Sequence, residues 1–86
     1  MSDLESIKAR VKEFILSEFL QGEDPSELTD NTPLISDGIL DSVSILRLVD
    51  HLETEHSISV AAHEADEEHL NTIGDIAQLV ASKQDA

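Results

Sequence analysis

Apolar residues recur at helical spacing in three separate stretches of this chain. Leu4, Ile7, Val11, Phe14, Ile15 and Phe19 fall on the spacing of three and four that gathers side chains on one face of an α-helix. Ser2-Asp3-Leu4-Glu5 ahead of them has the form of a capping box, so a first helix is predicted over about 3–20. A second pattern begins behind Gly38 and Asp41, where Val43, Ile45, Leu46, Leu48, Val49 and Leu52 crowd together. Gly38 is free to take a positive φ and Asp41 is a strong N-cap, which predicts a helix over about 42–55. Leu46, Val49 and Val43 lie on one side of it and Ile45, Leu48 and Leu52 on the other. That spread marks it as the central, most buried helix. The third pattern opens with Thr72-Ile73-Gly74-Asp75, a capping box with Asp in place of Glu, and continues through Ile76, Ala77 and Val80; it predicts a helix over about 72–82.

The intervening segments are shorter and less regular. Ile58-Ser59-Val60 reads as extended chain, and about 62–69 as a short acidic helix without a good cap. Between the first two helices lie Gly22, Pro25, Pro33 and Gly38 among several Asp, Ser, Thr and Asn residues. This is a long connection in which Asp24-Pro25-Ser26-Glu27-Leu28 forms one helical turn and Leu28, Leu34, Ile35 and Leu40 pin the loop to the core. A loop of that length in so small a chain usually has a task, and delivering Ser42 to the surface is such a task. There are no internal repeats, and Met1 and residues 83–86 read as frayed tails. The pattern describes an all-α protein, a single domain over 1–86 with three long helices, one short third helix and a long first loop.

Composition narrows what such a domain does. With 86 residues it has a modest core and no room for a deep enclosed pocket, so an enzyme is not expected. Lys and Arg number 5 against 19 Asp and Glu, a formal charge of −14, which turns the chain away from nucleic acid and anionic membrane and toward basic protein surfaces. Cysteine is absent, so any thiol chemistry is imported. No basic and apolar leader and no apolar run of roughly 18 residues is present, which gives a cytoplasmic monomer as the expectation. No metal site is expected either: His63 and His69 are six apart where helical zinc ligands are about four apart. The segment 30–41 also lacks the glycine and glutamate of a calcium loop.

Ser42 is the candidate functional residue. The first-turn amides of its helix lack intrahelical partners and sit at the positive end of the helix dipole, which suits a phosphodiester on the hydroxyl. An isolated Asp-Ser pair is more often a cap and nothing else, so its setting decides. Thr32-Pro33-Leu34-Ile35-Ser36-Asp37-Gly38-Ile39-Leu40-Asp41-Ser42 and Leu70-Asn71-Thr72-Ile73-Gly74-Asp75-Ile76-Ala77, in this order and separation, are similar to the segments around the modified serine and the last helix of acyl and peptidyl carrier proteins. The resemblance covers nearly the whole chain and implies the acyl-carrier-protein-like four-helix bundle.

It also implies that Ser42 accepts 4′-phosphopantetheine from coenzyme A through a magnesium-dependent phosphopantetheinyl transferase. The arm then holds an acyl or aminoacyl group as a thioester, shuttled between biosynthetic enzymes. Asp41 matches the family's aspartate before the serine, a cap and a possible holder of the transferase's metal. Val43 matches an exposed apolar residue pressed into partner enzymes, while Asp50, Glu53 and Glu55 either meet basic partner surfaces or form an ordinary solvated face. Leu46, Val49 and Leu52 either line the interior or an acyl-holding cleft. Fatty-acid-synthase carriers usually read Asp-Ser-Leu-Asp with an acidic residue three positions on; here Val43, Ser44 and Arg47 stand instead. Arg47 reverses the local charge where a basic enzyme docks. The departure resembles discrete carriers loaded by an AMP-forming acyl or aminoacyl ligase, with downstream acyl-processing enzymes as further partners. The alternative is a small acidic helical adaptor with an apolar groove, its Ser42 unmodified or phosphorylated.

Fourteen net negative charges on so small a domain repel one another, and screening relieves that repulsion. Melting curves at about 10 mM and about 200 mM NaCl, or with added magnesium, are expected to show Tm rising with salt. A Tm that does not move contradicts the self-repulsion.

Overall fold

The computed structural model describes residues 4–20 and 28–84. Its helices are α1 (Leu4–Glu18), α2 (Ser42–His56), α3 (Glu67–Leu70) and α4 (Ile73–Gln84), with a 3-10 turn at Ala62–Glu64 before α3. There is no strand among the described residues, and Ile58-Ser59-Val60 is irregular chain. The proposed capping box at Ser2 and the helical turn at 24–28 fall wholly or partly outside the described residues.

The core is aliphatic. Ile7, Val11 and Ile15 of α1 meet the α4 side chains Ile73, Ile76, Ala77, Leu79 and Val80 in one cluster, completed by Leu48, Leu52 and Leu70. The long connection is pinned to this cluster by Leu28, Leu34 and Leu40, all buried, with Ile35 packed at its edge. The most buried long helix is α4, not α2. Every other helix packs against α4, whereas α2 fully buries only Leu48 and Leu52. The apolar residues of α2 spread too widely around its axis to face one core, so part of them is left outside.

Local chemistry accounts for the helix ends. α1 closes at Glu18, and the amides of Phe19 and Leu20 both bond the Ile15 carbonyl, at 2.9 and 3.2 Å. The expected helix over 62–69 is divided at Ala65-Asp66. Asp66 caps α3 by accepting from the His69 amide at 3.1 Å and pairs with the His69 ring at 2.8 Å; this side-chain acceptor competes with a continuous helix. Thr72 caps α4, its hydroxyl oxygen accepting from the Asp75 amide at 3.0 Å. At the other end α4 runs past the expected end near Ser82, because Lys83 pairs with Glu64 at 2.7 Å and is held there.

Asp30 ties the connection to both neighbouring helices. Its carboxylate meets Lys8 of α1 at 3.1 Å and its carbonyl accepts from the Gly74 amide of α4 at 3.1 Å. α1 and α2 are bridged by long side chains: Arg10 pairs with Glu55 at 2.8 Å. The ring of Phe14 lies flat on His51, 3.9 Å between centroids, with Phe19 edge-on to Phe14 at 5.6 Å.

α2 ends at Ser57, a non-glycine residue in the left-handed region (φ 55, ψ 47), its amide bonded to the Glu53 carbonyl. A Cβ in this conformation is strained. Ser57→Gly is therefore expected to stabilise the protein by about 0.5–1 kcal/mol, read as a Tm rise of roughly 2–8 °C. An unchanged or lower Tm counts against the strain.

Two histidines are set in opposite directions. Burial holds the His56 imidazole below its ordinary 6.5, and its Nε2 is buried with no hydrogen-bond partner among the described residues. The Asp66 carboxylate bonded to His69 raises that ring above 6.5. For His56 the unfolded chain binds the proton more readily, so its contribution is present above pH 6.5 and is lost as pH falls; for the half-buried His69 the contribution is present below 6.5 and fades as pH rises. Nitrogen-detected imidazole titration is expected to give His69 the higher midpoint of the two. Acidification from about pH 7.5 to about 5.5 is expected to cost His56→Leu less Tm than the wild type. The reverse order of midpoints contradicts the assignment.

Candidate functional site

The candidate site is built by a turn over residues 33–38 that stops at Gly38. Within the turn the Asp37 amide bonds the Pro33 carbonyl and the Gly38 amide the Ile35 carbonyl, both at 3.0 Å. Gly38 then takes φ 77, and a Cβ there would meet open space, so the requirement for glycine is one of backbone conformation. The chain turns back, the Leu40 amide bonds the Leu34 carbonyl at 3.0 Å, and the Leu40 side chain enters the core at 2% exposure.

Asp41 follows in extended conformation as the N-cap of α2, its carboxylate oxygen accepting from the Ser44 amide at 2.8 Å. That amide holds the Asp41 carboxyl below the usual carboxylate range, so it is charged at neutral pH. Ser42 is the first residue of the helix and is exposed. Its hydroxyl is therefore presented at the positive end of the α2 dipole, beside a carboxylate committed to the cap.

The other sequence candidates separate into two groups. Val43 is 62% exposed, and Arg47 and Asp50 are exposed on the same side of α2; these three share a surface with Ser42. Glu53 does not join them. It is half-buried, and its carboxylate accepts from the Val60 amide at 2.9 Å, which holds the chain after α2. Glu55 is taken by Arg10.

Leu46 reverses an expectation: it is 68% exposed and lines no interior, while Leu52 is buried and Val49 half-buried. Three residues after Val43 and four after Ser42, Leu46 had to lie on their side of the helix. The signal was present in the sequence and was outweighed by its apolar character. A shallow groove of about 350 Å³ flanks this surface where α2 meets α1, lined by Phe14, Glu18, Arg47, Asp50, His51 and Thr54. Arg47 makes no ion pair with another of the described residues. Lys8, Arg10 and Lys83 all do.

Comparisons with known proteins bear on this geometry. The chain is 37% identical over 83 residues to the acyl carrier protein of Thermotoga maritima, covering 96% of this chain and 98% of the relative. It is 30% identical over 79 residues to the acyl carrier protein of Chlamydia caviae, covering 92% and 97%. Among solved structures it matches a chain in one described as the crystal structure of an FAD-dependent dehydrogenase, with TM-score 0.74 and 33% identity over 81% of this chain and 97% of that one. The family model described as phosphopantetheine attachment site matches residues 14–80, and with a cap, an exposed serine and a four-helix bundle of the matching kind in place, the chain belongs to that phosphopantetheine-binding carrier family.

Proposed function

We propose that the chain carries an acyl or aminoacyl group as a thioester on a 4′-phosphopantetheine arm joined to Ser42, and shuttles it between biosynthetic enzymes without catalysing their reactions. The observation that carries this reading is an exposed serine at the first residue of α2, behind the Asp41 cap, in a chain of the phosphopantetheine-attachment family. In the loading step the Ser42 oxygen forms a bond to the pantetheine-side phosphorus of coenzyme A. The pyrophosphate bridge breaks, the adenosine bisphosphate leaves and the serine proton passes to a base of the transferase. The arm supplies the thiol that a cysteine-free chain lacks. Asp41 orients Ser42 by capping the helix, and its charge is available to the transferase's magnesium.

The exposed side of α2 supplies the partner surface, with Val43 and Leu46 as apolar contacts and Arg47 and Asp50 around them. Arg47 stands in a chain of net charge −14 where a uniformly basic docking face would meet repulsion. This supports dedicated partners, an AMP-forming acyl or aminoacyl ligase among them, over the general fatty acid synthase. A flavin dehydrogenase acting on the tethered group is a further downstream partner, suggested by the carrier-sized relative in the FAD-dependent dehydrogenase structure.

The test is the intact mass of the wild type, Ser42→Ala, Asp41→Asn and Asp41→Ala after incubation with coenzyme A, magnesium and a broad-specificity phosphopantetheinyl transferase. Wild type is expected to gain one phosphopantetheinyl group and Ser42→Ala none. Asp41→Asn is expected to keep its Tm and react more slowly, since the cap survives and the charge does not, while Asp41→Ala loses both. No gain in the wild type removes the carrier reading and leaves the adaptor.

A further inference from the structure

The turn over residues 33–38 that leads to Ser42 has its own set of unpaired amides. Its first residue, Pro33, has no N–H to satisfy. The next three do, and none of them finds an acceptor within the turn. One residue, 35 and more positions away, receives all three: the Leu34 amide bonds the Asn71 carbonyl, and the Ile35 and Ser36 amides bond the Asn71 side-chain oxygen at 2.9 and 3.0 Å. Two N–H donors converging on one atom fix which end of the Asn71 amide is oxygen. The contact is reinforced by the Ser36 hydroxyl, which bonds the Glu67 carboxylate in α3.

Asn71 is well placed for this. It occupies the joint between α3 and α4, as C-cap of the first and next to the Thr72 cap of the second, with Leu70 and Ile73 buried on either side. From there the hydrogen bonds run in series. The Asn71 main-chain carbonyl holds Leu34, the Leu34 carbonyl holds the Leu40 amide, and Leu40 delivers Asp41 and Ser42; the Asn71 side chain steadies the same turn at its next two amides, Ile35 and Ser36. We infer that Asn71 is a positioning residue for modification of Ser42, acting as a cap in trans on the 33–38 turn, so that the serine is presented in one place before any enzyme binds. The inference rests on the proposed attachment of the arm to Ser42.

Removing the side-chain acceptor leaves the Ile35 and Ser36 amides without partners and loosens the turn, which keeps the Leu34 amide on the Asn71 main-chain carbonyl. Only the fraction of molecules with the serine correctly presented is then a substrate, and the loss falls on the apparent KM for the carrier more than on kcat. The experiment compares wild type, Asn71→Ala, Asn71→Asp, which keeps the acceptor, and Ile15→Val, which weakens the core away from the turn. Each is measured by transferase kinetics with coenzyme A and by amide hydrogen exchange.

Asn71→Ala is expected to lose about tenfold in kcat/KM, chiefly through KM, and to exchange the Ile35, Ser36 and Leu40 amides about tenfold faster, while Asn71→Asp stays within about threefold of wild type. Ile15→Val is expected to show neither change. If Asn71→Ala is modified as well as Ile15→Val, or if its turn amides remain protected, the inference is overturned. If the wild type itself takes no phosphopantetheine, the attachment reading fails, and the exchange of Leu40 and of Ser44, the amide bonded by Asp41, alone decides whether Asn71 sets the position of Ser42.

Discussion

The bundle depends on α4. Its buried side chains Ile73, Ile76, Ala77, Leu79 and Val80 are the surface on which the other helices lie, and they are aliphatic because the chain has almost nothing else to bury. Aromatic residues are 2% of the composition, and Phe14 and Phe19 sit at the edge of the core, not in it. Each buried Leu, Ile or Val contributes about 1.5–3 kcal/mol of transfer free energy, against strong charge repulsion outside. With α4 enclosed by its neighbours, α2 is left on the flank, and a helix on the flank has a face to spare. The exposed position of Ser42, Val43 and Leu46 follows from which helix occupies the centre.

The second requirement is that an irregular connection arrive at Ser42 in a defined place. Backbone amides in a loop need acceptors as much as those in a helix, and those of Leu34, Ile35 and Ser36 find theirs at Asn71 in the α3–α4 joint. Leu34 and Leu40 bury their side chains, Asn71 accepts from the backbone and Asp30 pairs with Lys8, and Gly38 supplies a positive φ that a side chain would oppose. The cap at Asp41 then begins the helix. The site is thus assembled from residues nearly the length of the connection and two helices apart, although the group it presents is one hydroxyl.

Much of this was legible in the sequence, for reasons particular to each element. Local signals carried the helices: the spacing of Ile7, Val11 and Ile15, the Asp41 and Thr72 caps, and Gly38 before the cap. The Asp41 cap and the exposure of Ser42 at the start of α2 were legible because a helix cap is set by residues adjacent in the chain. Leu46 and the rank of α2 were misjudged because periodicity gives the angle between residues on a helix and not which angle faces the core. The break before α3 went unseen because Asp66 caps only in competition with a helix that the same residues favour. Asn71 was quoted in a motif without a task, since its acceptor faces residues far away in sequence and no local pattern announces that.

The bare side chains of Val43 and Leu46 have a colloidal consequence. Two large aliphatic groups at more than 60% exposure form an adhesive patch that every copy of the chain presents, and copies are kept apart by the same net charge of −14 that burdens the fold. That protection is borrowed from pH. Toward the isoelectric point near 4.2 the repulsion between molecules vanishes while the patch remains, so solutions of the protein lose their resistance to self-association in mild acid, before the carboxylates are fully protonated and while the helices still hold the patch in place.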